Sequence, residues 1–175
     1  PLEEIAGEIQ ANMDFLTASF RDIPERHRSL RAVFDHSWEL LSEEERRAFR
    51  RLSVFHGGFG RKAAAEVAGV SLPLLAALVD KSLLTREGKG RYGLHELLRG
   101  YALEKLRGDE EREVRKRHCA YYAALAKTCA ERLAGADQEA ALEGLREEHE
   151  NLRAAWGFAL GELDDCLLYT SDAAD

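Results

Sequence analysis

Apolar residues recur along this chain at steps of three and four, and the elements this spacing predicts are helices. Leu2, Ile5, Ile9, Met13, Leu16 and Phe20 make one face of a first helix. Asp22-Ile23-Pro24-Glu25 then breaks and restarts the chain, with proline suited to a first helical turn. A second helix is predicted over Leu30 to Leu41, with Leu30, Val33, Phe34, Ser37, Trp38 and Leu41 on one side. Ser42-Glu43-Glu44-Glu45 has the form of a capping box, in which the Ser42 hydroxyl caps a third helix and Glu45 reaches back. That helix turns Phe49 and Leu52 inward and an arginine-rich face to water.

The pattern then changes. Val54 to Phe59 reads as a short extended piece with a glycine bend at Gly57-Gly58. Arg61 to Ala68 is a short helix ended by Gly69, and Leu72 to Asp80 is another that is apolar nearly all round. Leu83 to Arg86 and Arg91 to Leu94 flank Glu87-Gly88-Lys89-Gly90, which is a β-hairpin signal. His95 to Leu106 returns to helix, with Leu98, Tyr101, Ala102 and Leu106 inward. Three helical elements, a hairpin and a closing helix is the order of a winged helix, placed here over residues 24–107.

Gly108-Asp109 starts a new section. Glu110 to Leu133 shows Val114, His118, Tyr121, Tyr122, Leu125, Cys129 and Leu133 in helical register. After Gly135-Ala136-Asp137, a single helix is predicted over Gln138 to Leu160, with Leu142, Leu145, Leu152, Trp156 and Leu160 on one face. Two antiparallel helices of this size resemble one unit of a helical repeat array. One unit cannot bury its second face, so further repeats are expected in a longer parent. The fold class is therefore mainly α: a winged helix with a small β-hairpin, followed over 108–165 by a helical hairpin of tetratricopeptide (TPR) type.

Composition narrows the function. Hydrophobic residues are 45% and charged residues 33%, too apolar for a disordered chain. The 25 Lys and Arg against 32 Asp and Glu give a net charge of −7, which disfavours nonspecific nucleic-acid binding by the whole surface. Three cysteines make no disulfide framework and fit a reducing cytoplasm. The longest uncharged stretch, Val67 to Val79, falls short of the roughly 20 residues a bilayer span needs. The start, Pro1-Leu2-Glu3-Glu4, lacks Met and is acidic, so the chain is expected to be a piece of something longer. Residues 166–175, CLLYTSDAAD, resemble the translation of a transposon adapter used in sequencing libraries, and are expected to be non-native.

Several chemistries can be set aside. Asp35-His36-Ser37 carries the letters of a triad, but consecutive helical residues point about 100° apart and cannot form the hydrogen-bonded chain. His118-Cys119 and Cys129 lack metal spacing, and both cysteines read as packing residues. No Gly-Lys-Ser/Thr follows Gly57-Gly58, and the chain contains no Walker A motif, so the chain itself is expected to be neither an enzyme nor a cofactor binder. A DNA-reading helix needs groups such as Arg, Lys, Asn or Gln, and Leu72 to Asp80 offers none. The wing is better supplied: Lys81, Arg86, Lys89 and Arg91 are candidates for phosphate contact, diluted by Asp80 and Glu87. DNA contact by this domain is disfavoured, and a basic hairpin on a protein-packing module is the simpler reading.

Three stretches carry a family likeness: Pro24 to Ser42, Phe49 to Phe59, and Leu75 to Leu84. They resemble the bacterial STAND signalling ATPases with an NB-ARC-like core, a group that includes large multidomain transcriptional regulators. His118 to Leu160, with Glu148-His149-Glu150-Asn151-Leu152-Arg153-Ala154-Ala155, looks like the helical linker into their TPR-type sensor. The resemblance implies a nucleotide domain and helical lid upstream, residues 1–23 being the end of the lid, with the winged helix acting as a clamp. It also implies ADP or ATP with Mg in the intact parent, helical repeats in cis downstream, and homo-oligomerisation on activation. Family members carry Met-His-Asp at the start of the last winged-helix helix, whose His touches the ADP β-phosphate. Leu94-His95-Glu96 stands at that place, so His95 is the candidate cofactor-binding residue. Its position at a helix N-terminus suits an anion, and a His that merely caps or packs there is the alternative. The competing function is a DNA-binding winged-helix transcription factor with a helical dimerisation or sensor tail.

Overall fold

A computed structural model describes residues 25–171, apart from 134 and 136. The predicted helix Leu2 to Phe20 lies outside the described residues. Contacts divide the chain between Leu40 and Leu41 into two compact units. In the first, the described residues form helix α1, Glu25–Glu39.

The second unit is mainly helical and resembles a winged helix in its first half. Its order is α2 (Glu43–Leu52), β1 (Phe59–Gly60), α3 (Arg61–Ala68), α4 (Leu72–Asp80), β2 (Thr85–Arg86), a 3-10 turn (Gly88–Gly90), β3 (Arg91–Gly93) and α5 (Glu96–Lys105). Three helices follow: α6 (Gly108–Leu133), α7 (Gln138–Glu147) and α8 (His149–Ser171). No single helix among the described residues is long and apolar enough to cross a membrane.

The capping box forms as expected. The Glu45 N–H donates to Ser42 Oγ at 3.2 Å, and the Ser42 N–H donates to the Glu45 carboxylate at 2.8 Å. Two orphan donors at the start of α2 are thereby satisfied. Phe49 and Leu52 are buried, but the arginine face of α2 does not simply meet water. Arg50 Nε and Arg51 Nε both donate to the Glu110 carboxylate of α6, at 2.8 and 2.7 Å. A single carboxylate with an arginine on each oxygen ties the two halves of the unit together.

Helices α3 and α4 meet at 108° across Gly69-Val70-Ser71. That short glycine-containing turn and near-perpendicular angle are the geometry of a helix-turn-helix. Gly69 makes the turn possible, because its φ of +70° lies in the left-handed region while its N–H closes on the α3 carbonyls of Ala64 and Ala65. The hairpin also forms, and β1 adds a third strand, giving an antiparallel sheet of order β1-β3-β2 with Phe59 opposite Tyr92 and Arg86 opposite Tyr92. Phe59 of β1 stacks on Phe55 with ring centroids 4.4 Å apart. The core runs from Leu52, Phe55 and Phe59 through Val67, Leu75 and Leu78 to Tyr122 on α6.

The downstream helices depart from the sequence reading. Gln138 to Leu160 is two helices, broken at Glu148. The apolar face is largely outside: Leu142, Leu160 and above all Trp156, 70% exposed, face solvent. Ala141, Glu148, Asn151 and Ala155 are buried instead. Their spacing is as helical as that of the leucines, but the period alone does not say which stripe turns inward. Glu148 and Asn151 find polar partners on the wing, in the 56–58 loop and on α6.

Candidate functional site

The loop after α2 delivers two backbone groups to this corner. Leu52 accepts from the Phe55 N–H, Phe55 is buried, and Gly57 takes a φ of +74°. The His56 N–H and the Gly58 carbonyl are thereby presented to the start of α8. Asn151, almost fully buried, answers both: its Oδ1 accepts from His56 at 2.8 Å and its Nδ2 donates to Gly58 at 3.0 Å. The same amide nitrogen donates to Glu148 Oε2 at 3.0 Å, and His118 Nε2 approaches Oδ1 at 3.3 Å. One asparagine thus uses both ends of its amide to join a loop, α6 and the α7–α8 corner.

Glu148 is the charged member. It sits where the helix breaks, and is buried. It accepts from Tyr122 Oη at 3.2 Å and pairs with the Arg91 guanidinium of β3. Arg91 also donates to the Gly58 carbonyl at 2.6 Å. A Cβ at Gly58 would lie 2.9 Å from the end of the flexible Glu87 side chain and 3.3 Å from Arg91 Nε, so both would have to give way. No buried side-chain polar atom among the described residues is left without a partner. Burial pushes the His118 pKa down to about 4, against the opposing Asn151 contact, so His118 is neutral at neutral pH. Burial and the Glu148 charge push the Tyr122 phenol up, so it remains a donor. The hydrogen bond from Arg91 to Glu148 raises the guanidinium pKa further.

At the rim the wing tip makes a second contact. Lys89 Nζ lies 2.5 Å from Glu147 and 3.4 Å from Glu143 on α7. The hydrogen bond to Glu147 raises the Lys89 pKa and lowers that of Glu147. Two of the four candidate phosphate contacts on the wing, Lys89 and Arg91, are therefore bound to carboxylates. Lys81 is also engaged, with Nζ 2.7 Å from Glu45. Arg86 is exposed.

His95 is the N-cap of α5: its Nδ1 accepts from the Leu97 N–H at 3.3 Å. With Nδ1 as acceptor, the neutral ring carries its proton on Nε2. Glu96 beside it is held by Arg99 at 2.8 and 2.5 Å, which lowers its pKa. On α4 the exposed positions are Leu72, Pro73, Ala76 and Asp80, with no base-reading group among them. The Ser37 hydroxyl donates to the Val33 carbonyl of its own helix at 2.9 Å. Among the described residues no group of three or more His, Cys, Asp or Glu is placed to hold a metal ion, and Cys119 and Cys129 are free thiols.

Sequence reasoning places His118 and Tyr122 inward, but misses the Arg91–Glu148–Asn151 node. Its one signal is the polar pair Glu148 and Asn151 in helical register with Ala141 and Ala155.

The chain is 38% identical over 180 residues to proteins of Mycobacterium bovis and of two strains of Mycobacterium tuberculosis, each named an HTH-type transcriptional regulator. The match covers 96% of this chain and 20% of each of those proteins, so the chain spans about a fifth of the length of the curated relatives it matches. No protein-family model and no solved structure matches the chain.

Proposed function

We propose that this chain is the winged-helix segment of a bacterial transcriptional regulator, and that it serves there as a packing and coupling module between flanking parts. The names of the mycobacterial relatives support the regulator class. The observation that carries the coupling role is the buried node in which Arg91 of the wing and the 56–58 loop are bonded to Glu148 and Asn151. A wing free to lie on DNA would not have its arginine sequestered by a buried carboxylate. In the finer form of the reading, the parent is a STAND-type ATPase switch holding ADP or ATP with Mg, with its nucleotide domain upstream and TPR-type repeats downstream. That form rests on the motif resemblance. His95 would then offer Nε2–H to a phosphate from a helix N-terminus while Nδ1 holds the cap.

A second reading, a DNA-binding winged helix, is favoured by the 108° turn between α3 and α4 and by the relatives' names. The exposed face of α4 speaks against sequence reading by that helix.

Native-state hydrogen exchange on the full chain tests the coupling. Amides of β3 and of the α7–α8 corner should exchange through one shared opening. Asn151→Ala strands the His56 N–H and leaves the Gly58 carbonyl with Arg91 alone, and should separate the two openings at a cost of about 1–3 kcal/mol. Independent exchange in the wild type would overturn the coupling role.

A further inference from the structure

Helix α8 carries an apolar stripe on the side away from the node. Asn151 and Ala155 are turned inward, while Arg153, Trp156, Gly157, Leu160 and Gly161 share the opposite side of the helix and are exposed. Trp156 is 70% exposed and Leu160 46%. The two glycines stand well inside the helix, where glycine is destabilising relative to alanine. A Cβ at either would meet nothing within 4 Å, so nothing among the described residues asks for a glycine there. What a glycine offers on an exposed helix face is close approach of another backbone.

Large groups, gaps and charges follow one another symmetrically along this stripe. Consider a second α8 running antiparallel, with the two-fold axis between Phe158 and Ala159. Leu160 of each copy then comes level with Gly157 of the other, and Trp156 with Gly161. Arg153 comes level with position 164, which the sequence fills with Asp. Each large residue thus meets a gap and each positive position a negative one, as an isologous contact requires. A parallel pair would set Trp156 on Trp156 and Arg153 on Arg153. The pair that Arg153 makes with Glu150 is no obstacle, since both side chains are largely exposed, at 73% and 49%, and water readily replaces either.

We infer that the outer face of α8 is a homodimer contact, in which two copies of this chain pair antiparallel about Phe158 and Ala159. The occupant is a second copy rather than an unrelated helix, because the complement of each position on the stripe is found on the stripe itself. The contact lies on the side of α8 away from the node and does not depend on the coupling role.

Sedimentation velocity of the full chain tests this from about 1 µM to about 0.3 mM, the range a small interface calls for. The wild type should show a reversible monomer–dimer equilibrium. Gly157→Leu fills the gap opposite Leu160 while meeting nothing in its own chain. It should melt no lower than the wild type, yet dimerise at least about tenfold more weakly. A patch that is merely sticky behaves in the opposite way, because the added leucine enlarges it. Arg153→Asp should weaken the dimer about three- to tenfold at low salt, and adding Asp164→Arg should restore it. A wild type that stays monomeric throughout overturns the inference and leaves the face to a following helix of a longer parent. Tighter association of Gly157→Leu, or a charge reversal that is not rescued, overturns it as well.

Discussion

Arg91 and Lys89 lie two residues apart on one hairpin, and both reach carboxylates near the α7–α8 break. The side chains of Arg91 and Glu148 are 16% and 11% exposed; those of Lys89 and Glu147 are 70% and 33%. In the first pair each charge is desolvated and depends on its partner, and the remaining lone pairs of Glu148 are taken by Tyr122 and Asn151. In the second pair water can replace either partner at little cost. One hairpin therefore carries a fixed joint and an exchangeable one. The comparison teaches that the sign and spacing of charges in a wing do not say whether it binds nucleic acid. What decides is which of its cations are already bound inside the molecule.

The largest expected effect is at the fixed joint. Arg91→Met keeps much of the aliphatic volume but leaves Glu148 buried without its counter-charge. Breaking such a pair on one side costs about 3–5 kcal/mol, read as a lower urea midpoint at an unchanged slope. Adding Glu148→Leu should recover part of that loss, because two apolar groups strand no charge. An Arg91→Met cost below about 1 kcal/mol would mean the joint is no more fixed than the rim.

An intermediate pair sharpens the scale. Lys81 and Glu45 are 38% and 12% exposed. The hydrogen bond from Lys81, then that from the Ser42 backbone, hold the Glu45 carboxyl below the usual carboxylate range despite some desolvation. Its folded pKa is therefore lower than its unfolded pKa. The stability it contributes is fully present above the unfolded value, and is lost as the pH falls through the lowered folded value. Glu45→Gln keeps an oxygen for the Ser42 N–H and removes only the charge. It should cost about 1 kcal/mol at neutral pH, after allowing for screening at the half-exposed lysine. It should also flatten the acid limb of stability against pH. An unchanged acid limb would show that the pair is as exchangeable as Lys89 and Glu147.

Much of the fold is legible because local chemistry writes it. The capping box at Ser42, the Gly69 turn and the Glu87–Gly90 hairpin are determined within four or five residues, and each forms where the sequence predicts it. Helix α6 is legible too, since Val114, His118, Tyr122 and Cys129 all turn inward. The α7–α8 region is not. Leu142, Trp156 and Leu160 carry the stronger apolar stripe, and period alone favours them. The stripe that is buried holds Glu148 and Asn151, whose burial is offset by partners some 60 and 95 residues away in sequence, Arg91 and His56. No local pattern reports such a partner. For the same reason the wing cations look available for phosphate in the sequence: their spacing is visible there, and their carboxylates are not. His95 shows the converse limit, since a capping role and a phosphate role ask for the same helix N-terminus.

The smallest expected effect completes the comparison. Lys89→Gln removes the exposed pair while leaving the Arg91 node whole. The urea midpoint should not move measurably, either near physiological salt or at about 1 M, where surface charge is largely screened. The raised pKa of Lys89 does not argue otherwise, because its ammonium lies in solvent, where the attraction to Glu147 and Glu143 is screened. A midpoint shift approaching that of Arg91→Met would collapse the distinction between the two joints. The wing tip would then be held as firmly as its base.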